Sequence, residues 1–90
     1  MRLDWTLDAI EDRHLIYTHI EADNPLAALD LDEALAAAAE RLRDQPALGR
    51  PGRVAGTREW VVHPNYLLIY ELYADSLVVL RVLHAARRWP

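Results

Sequence analysis

Thr57-Arg58-Glu59-Trp60-Val61-Val62-His63, Tyr66-Leu67-Leu68-Ile69-Tyr70-Glu71-Leu72-Tyr73 and Leu77-Val78-Val79-Leu80-Arg81-Val82-Leu83 are three short runs rich in β-branched, aromatic and aliphatic residues. Such side chains suit a pleated, half-buried surface, so each run reads as a strand. His63-Pro64-Asn65 and Ala74-Asp75-Ser76 lie between them as brief turns, and turns this short join antiparallel neighbours. A three-stranded meander therefore occupies residues 57–83, and the rest of the chain must cover it.

Upstream, residues 47–56 read as a loop in which Gly49, Gly52 and Gly56 serve as turn-formers. Before it, Pro25 to about Asp44 reads as a helix. Asn24 is a good N-cap and Pro25 is preset for the first helical position. Ala28, Leu31, Leu35, Ala38, Ala39 and Leu42 fall on one face at helical spacing, and the alanine-rich centre allows close approach to a sheet. Pro46 ends it by pushing its predecessor out of the helical region. A first helix runs from a Thr6 cap to about Ala22, with Asp8 favourably placed in its first turn. Its inward stripe is Ala9, Ile16 and Ile20 with Tyr17, and Arg13 interrupts where an apolar residue is expected. Leu3-Asp4-Trp5 alternates and reads as a first strand.

The order is strand, helix, helix, then a three-stranded antiparallel meander. The predicted fold is α+β, with a helical hairpin packed on one face of an antiparallel sheet and the other face left for work. Ninety residues are expected to form one domain, residues 1–90, of modest stability. The chain has no cysteine, which excludes disulfides and thiolate chemistry. No apolar run approaches the ~18 residues of a membrane span and no signal-peptide core follows the start, so a cytoplasmic protein without membrane attachment is expected.

The net charge of −4 hides an uneven spread. Residues 1–44 hold eleven acids and four arginines, giving −7, while residues 45–90 hold three acids and six arginines, giving +3. Lysine is absent, so every basic side chain is a planar, multi-donor guanidinium suited to carboxylate and phosphate. Arg50, Arg53, Arg58, Arg81, Arg87 and Arg88, interspersed with Tyr66, Tyr70, Tyr73, His63 and His84, form a candidate surface for an RNA strand. Solvation, or pairing with Glu59, Glu71 and the acidic helices, explains the same arginines, and the acidic balance disfavours general nucleic-acid binding. Arg81 breaks an apolar run and by alternation shares a face with Val79 and Leu83. A structural ion pair is its first reading and a ligand-facing role the second. Trp60 and Trp89 serve either as aromatic anchors at a partner surface or as the last pieces of the core.

Other chemistry is weakly indicated. His14 and His19 are five residues apart, on different helix faces, and the lone Glu11/His14 pair makes a weak metal motif, so neither metal nor cofactor is expected. The glycine loop lacks the lysine and hydroxyl of a P-loop. Ser76 and Thr57 have no evident base, so nucleophilic catalysis is not indicated.

Asn24-Pro25 between the helices, the Gly49–Arg53 loop, Gly56-Thr57-Arg58-Glu59, Tyr66 through Tyr70, and Arg81-Val82-Leu83-His84 together resemble the RelE/ParE superfamily of bacterial toxins, over nearly the whole chain. The resemblance implies the fold inferred above, a cognate antitoxin wrapped on the toxin, growth inhibition and plasmid stabilization. It implies one of two targets. RelE-like members cut mRNA on the ribosome, and ParE-like members inhibit DNA gyrase. The cutting members carry an arginine in the third strand where this chain has Leu67. What would remain for a nuclease is Arg58, Arg87 and His84 as a general acid or base. The ending Arg81-Val82-Leu83-His84 resembles ParE-like sequences, so the expectation is a toxin that acts by binding gyrase. Its contact residues are expected among Arg50, Arg53, Arg58, Trp60, Tyr66, Arg81, His84, Arg87, Arg88 and Trp89. The alternatives are the mRNA endonuclease and a non-toxic antitoxin-binding module.

Overall fold

A computed structural model describes residues 1–87 and Trp89. The chain runs β1 (Arg2–Trp5), α1 (Leu7–Glu21), α2 (Pro25–Asp44), a 3₁₀ turn (Pro46–Leu48), β2 (Arg50–Pro51), β3 (Thr57–His63), β4 (Tyr66–Leu72) and β5 (Ser76–His84). Both helix caps form as expected. Thr6 Oγ1 accepts from the Ala9 amide at 3.0 Å, and Asn24 Oδ1 accepts from the Ala27 amide at 3.1 Å. Each satisfies one of the orphan donors of a first helical turn.

The sheet has five strands in the order β1-β5-β4-β3-β2. β3, β4 and β5 form the predicted antiparallel meander. Two features differ from expectation. β1 pairs with β5 in parallel, from Arg2 opposite Ser76 to Trp5 opposite Val79, so the sheet is mixed rather than antiparallel. The hairpin carries the chain back before it reaches β3, and β1 joins the far edge, where the shared direction is parallel. The loop at 47–56 also contains structure. Arg50 and Pro51 pair with Glu59 and Arg58 as a two-residue edge strand, too short to leave a periodic signal.

Side chains alternate across β4. Leu68 and Tyr70 face the helices and join Ala9, Leu31, Leu35, Ala39, Leu42, Leu77, Val79 and Val82 in the main core. Leu67 and Ile69 face the other way and cluster with Leu83, flanked by Leu80 and Trp89. In α2 the expected stripe is realised, with Ala28, Leu31, Leu35, Ala39 and Leu42 buried. In α1 the buried residues are Ala9 and Asp12, with Ile16 and Ile20 partly buried against the core.

The face assigned to Val79 and Leu83 needs correction. The ladder between β4 and β5 shifts register between Ile69 and Tyr70, whose partners are Arg81 and Val79. The extra residue, Leu80, reverses the alternation. Val79 therefore lies in the core under the helices and Leu83 in the cluster on the opposite face.

Candidate functional site

β1 covers β5 only as far as Val79. Beyond that point the β5 edge would present unpaired backbone groups. The start of α1 takes them up. The Thr6 amide donates to the Val79 carbonyl at 3.0 Å and Thr6 Oγ1 donates to the Leu80 carbonyl at 2.8 Å. The Val82 amide donates to Asp12 Oδ2 at 2.9 Å. The same carboxylate accepts twice from Arg81, at 2.7 and 2.9 Å. The first reading of Arg81, a structural ion pair, is what the geometry contains. Hydrogen bonding to Asp12 raises the guanidinium pKa above its ordinary value against the opposing cost of burial. Arg13 is paired as well, through two bonds of 2.9 Å to Asp32, and lies over the Trp5 ring at 4.6 Å.

A second node fixes the arginine loop beneath β4. Tyr70 Oη donates to the Pro46 carbonyl at 2.6 Å and accepts from the Gly49 amide at 2.9 Å. Arg58 donates to the Gly49 carbonyl at 2.6 Å. Burial raises the Tyr70 pKa above 10.0, opposed by the Gly49 amide and the Arg58 charge. Gly49 is buried against the tyrosine, and a Cβ there would lie 2.7 Å from its Cε1. The residue type is dictated by that close approach.

The residues singled out from the sequence separate into groups. Arg58, opposite Tyr70 in the ladder, and Trp60, opposite Leu68, lie on the helix side of the sheet. Trp60 packs against the core with Arg41 at 5.7 Å from its ring. Arg50, Arg53, Arg87 and Trp89 surround Leu67, Ile69 and Leu83 on the open face, with Glu59 and Ala85, around a hollow of about 210 Å³. Arg50 is bound there by Glu59 at 3.1 Å. Arg88 lies outside the described residues. Tyr66 and His84 form a third group at the end of the sheet. Their rings meet edge-on with centroids 5.3 Å apart, and His63 stands 6.0 Å from Tyr66 on the other side.

His84 Nδ1 accepts from the Ala86 amide and His63 Nδ1 from the Asn65 amide, both at 3.1 Å. In each neutral ring the proton is thereby assigned to Nε2, which faces away from its turn. Tyr66 and His84 border two clefts. One, of about 640 Å³, runs between the hairpin and the sheet and includes His19, Ile20, Leu31 and His63. The other, of about 210 Å³, also includes Asp12, Ile16 and Arg87. Sequence reasoning passed over Asp12, because an acid at an inward helical position carries no periodic signature. It also missed that His19, on the first helix, lines the larger cleft together with His63 and His84. Among the described residues no group of three or more His, Cys, Asp or Glu is placed to hold a metal, and no helix is long and apolar enough to cross a membrane.

A family described as the ParE toxin of the type II toxin-antitoxin system parDE matches residues 3–89. Y4kP of Sinorhizobium fredii is 38% identical over 99% of this chain and 93% of its own length. Toxin RelE2 of Caulobacter vibrioides is 40% identical over 92% and 93%, respectively. A chain of the chromosomal ParDE toxin–antitoxin system of P. aeruginosa superposes with a TM-score of 0.83 at 24% identity, covering 93% of this chain and 95% of that one. A helical hairpin over a five-stranded mixed sheet, with an arginine-rimmed hollow on the far face, is here the build of a RelE/ParE superfamily toxin. The chain belongs to the ParE toxin family of type II toxin–antitoxin systems.

Proposed function

We propose that this toxin acts in the cytoplasm by binding DNA gyrase through the open face of its sheet and the adjoining Tyr66–His84 corner. Leu67 carries the reading. It is buried with Ile69 and Leu83 at the centre of that face, at the position where messenger-cutting members carry an arginine. A phosphoryl-transfer site needs donors aimed at the developing charge, and an aliphatic centre supplies none. An apolar patch ringed by arginines has instead the anatomy of a protein-binding surface, with a desolvated middle and a polar rim. Arg50, Arg53 and Arg87 provide the rim, Trp89 the aromatic anchor. On this reading Arg58 and Trp60 shape the face from behind, through the loop node and the core, and Arg81 shapes it from the β5 edge, through the Asp12 pair.

One observation favours the endonuclease as a second reading. His84 and Arg87 line a common cleft with Tyr66, which brings a general acid–base candidate near a phosphate-binding cation. Arg58, the third candidate, is committed to the Gly49 carbonyl.

Pulse-labelling within minutes of inducing the chain without its antitoxin separates the two. Thymidine incorporation falls first if gyrase is the target. Methionine incorporation falling first, with cleaved mRNA, transfers the protein to the nuclease reading.

A further inference from the structure

His63 and His84 use their rings in the same way. Each Nδ1 accepts the amide two residues further on, Asn65 for His63 and Ala86 for His84, both at 3.1 Å. Each bond closes a turn, and the two turns are tied together, since the Ala85 amide donates to the Asn65 carbonyl at 2.7 Å. Tyr66 stands between the rings, with centroids 6.0 Å from His63 and 5.3 Å from His84. The second turn also contains the Arg87 amide, which donates to the His84 carbonyl at 2.9 Å. Beyond it Trp89 packs on the Leu67, Ile69 and Leu83 cluster, and Ala85, Arg87 and Trp89 all line the open-face hollow. The seat of this terminal segment therefore depends on two neutral imidazoles.

An imidazole accepts at Nδ1 only while it is neutral. Histidine is the side chain that changes charge between about pH 5 and 8, and a proton arriving at Nδ1 turns the acceptor into a donor. Ring N–H then confronts amide N–H, and a bond gives way to repulsion. Both rings are exposed, so protons reach them from solvent. The charged groups nearby do not restore the arrangement. His19 of α1 brings a third imidazole to both clefts, and Arg87 places a fixed positive charge beside His84. Asp12 of α1 is committed to Arg81 and the Val82 amide. Asp30 of α2 borders the larger cleft and draws an imidazolium toward the hairpin, away from its turn.

We infer that His63 and His84 form a proton-sensitive latch on the terminal segment of the toxin. Above the histidine range both turns are closed, and Arg87 and Trp89 are held at the rim of the hollow. Protonation opens the turns and releases the segment from Ala85 onward. The latch stands on the geometry of the turns alone. That it governs engagement of a target rests on the proposed function, through Arg87 and Trp89.

Nitrogen–proton NMR of the free toxin between about pH 7.5 and 5.5 tests it. After correction for the intrinsic effect of pH, the amides of Asn65, Ala85 and Ala86 are expected to exchange about fivefold faster at the acid end, as loss of roughly one hydrogen bond requires. The Trp89 indole signal is expected to move with the same midpoint as the two imidazoles. Asparagine offers Oδ1 to the amide two residues on and has no proton to gain. His63→Asn/His84→Asn is therefore expected to keep the turns closed and to respond flatly over the same range. Asn65 and Ala86 amides that ignore the titration of their rings overturn the inference. So does equal loosening in the asparagine double variant, which would assign the response to another group. Turns that open while Ala85 and Trp89 stay unchanged overturn it as well, because the latch would then hold nothing. No target enters the experiment, so its failure leaves the proposed function standing.

Discussion

The Asp12 carboxylate holds the Arg81 guanidinium through two hydrogen bonds, at 2.7 and 2.9 Å, across 69 positions of sequence. The same group accepts the Val82 amide, so one side chain of the first helix closes the open edge of the last strand. Neither partner is dispensable on its own. Asp12→Ala leaves a half-buried cation and a strand amide without their acceptor, a loss of about 2–4 kcal/mol. The double variant Asp12→Leu/Arg81→Met, which removes both charges, is expected to cost less than Asp12→Ala. Urea unfolding of the wild type and the two variants checks the order, and a double variant less stable than Asp12→Ala refutes it.

Tyr70 ties the 3₁₀ turn to the sheet through Pro46 and Gly49. Tyr70→Phe keeps the ring and is expected to cost about 1–2 kcal/mol, the penalty for two backbone groups left without a partner. The wild-type phenol also gives stability a pH signature. Its folded pKa is raised above 10.0 by burial, so above pH 10 the unfolded chain releases this proton more readily. The contribution is fully present below pH 10 and is lost as pH rises from there through the folded value. Thermal melts from pH 8 to 11 should show a steeper alkaline decline in wild type than in Tyr70→Phe.

Gly49→Ala is expected to destabilise by about 1–3 kcal/mol, since the new methyl meets the Tyr70 ring, which the core holds in place. Restoring Gly49 removes the defect. Combining Gly49→Ala with Tyr70→Leu should cost less than the two separate losses added together, because the small side chain frees the space. Additive denaturation midpoints would show that the ring is not the obstacle.

How much of this was legible beforehand depends on the range of the interaction involved. The Thr6 and Asn24 caps, the α2 stripe from Ala28 to Leu42 and the three strands after Thr57 rest on neighbours a few residues apart, and all are present. The parallel seat of β1, the Leu80 bulge and the Asp12–Arg81 pair each join segments far apart in the chain. Local periodicity cannot register them. Strand alternation alone would have set Arg58 and Trp60 apart from Arg50 and Glu59, had the ladder partners been known. The partly buried Arg13 was visible as an interruption, but its explanation lay in Asp32 and Trp5.

Leu67→Arg puts a cation at the nuclease-type position. It is expected to lower stability by about 1–3 kcal/mol, because the charge replaces a buried member of the Ile69–Leu83 cluster. If gyrase is the target, as proposed, the variant is also expected to inhibit supercoiling more weakly than wild type, without creating ribosome-dependent cleavage. Primer extension on translated mRNA reads the second point. New cleavage sites in this variant would show that the missing arginine was all that separated the chain from a nuclease.

The parallel seat of β1 against β5 also bears on how the protein is born. Residues 2–5 are made before both helices, yet their ladder partners at 76–79 are made only after β4. Until that segment emerges, β1 has no neighbour, α1 has no edge to close and β4 lacks one of its two flanking strands. Non-local pairing of this kind delays folding until β5 has been made. A growing polypeptide therefore lacks the finished sheet until β5 has been made. Products that stop short of Ser76 never acquire that partner, and their β1 stays unpaired.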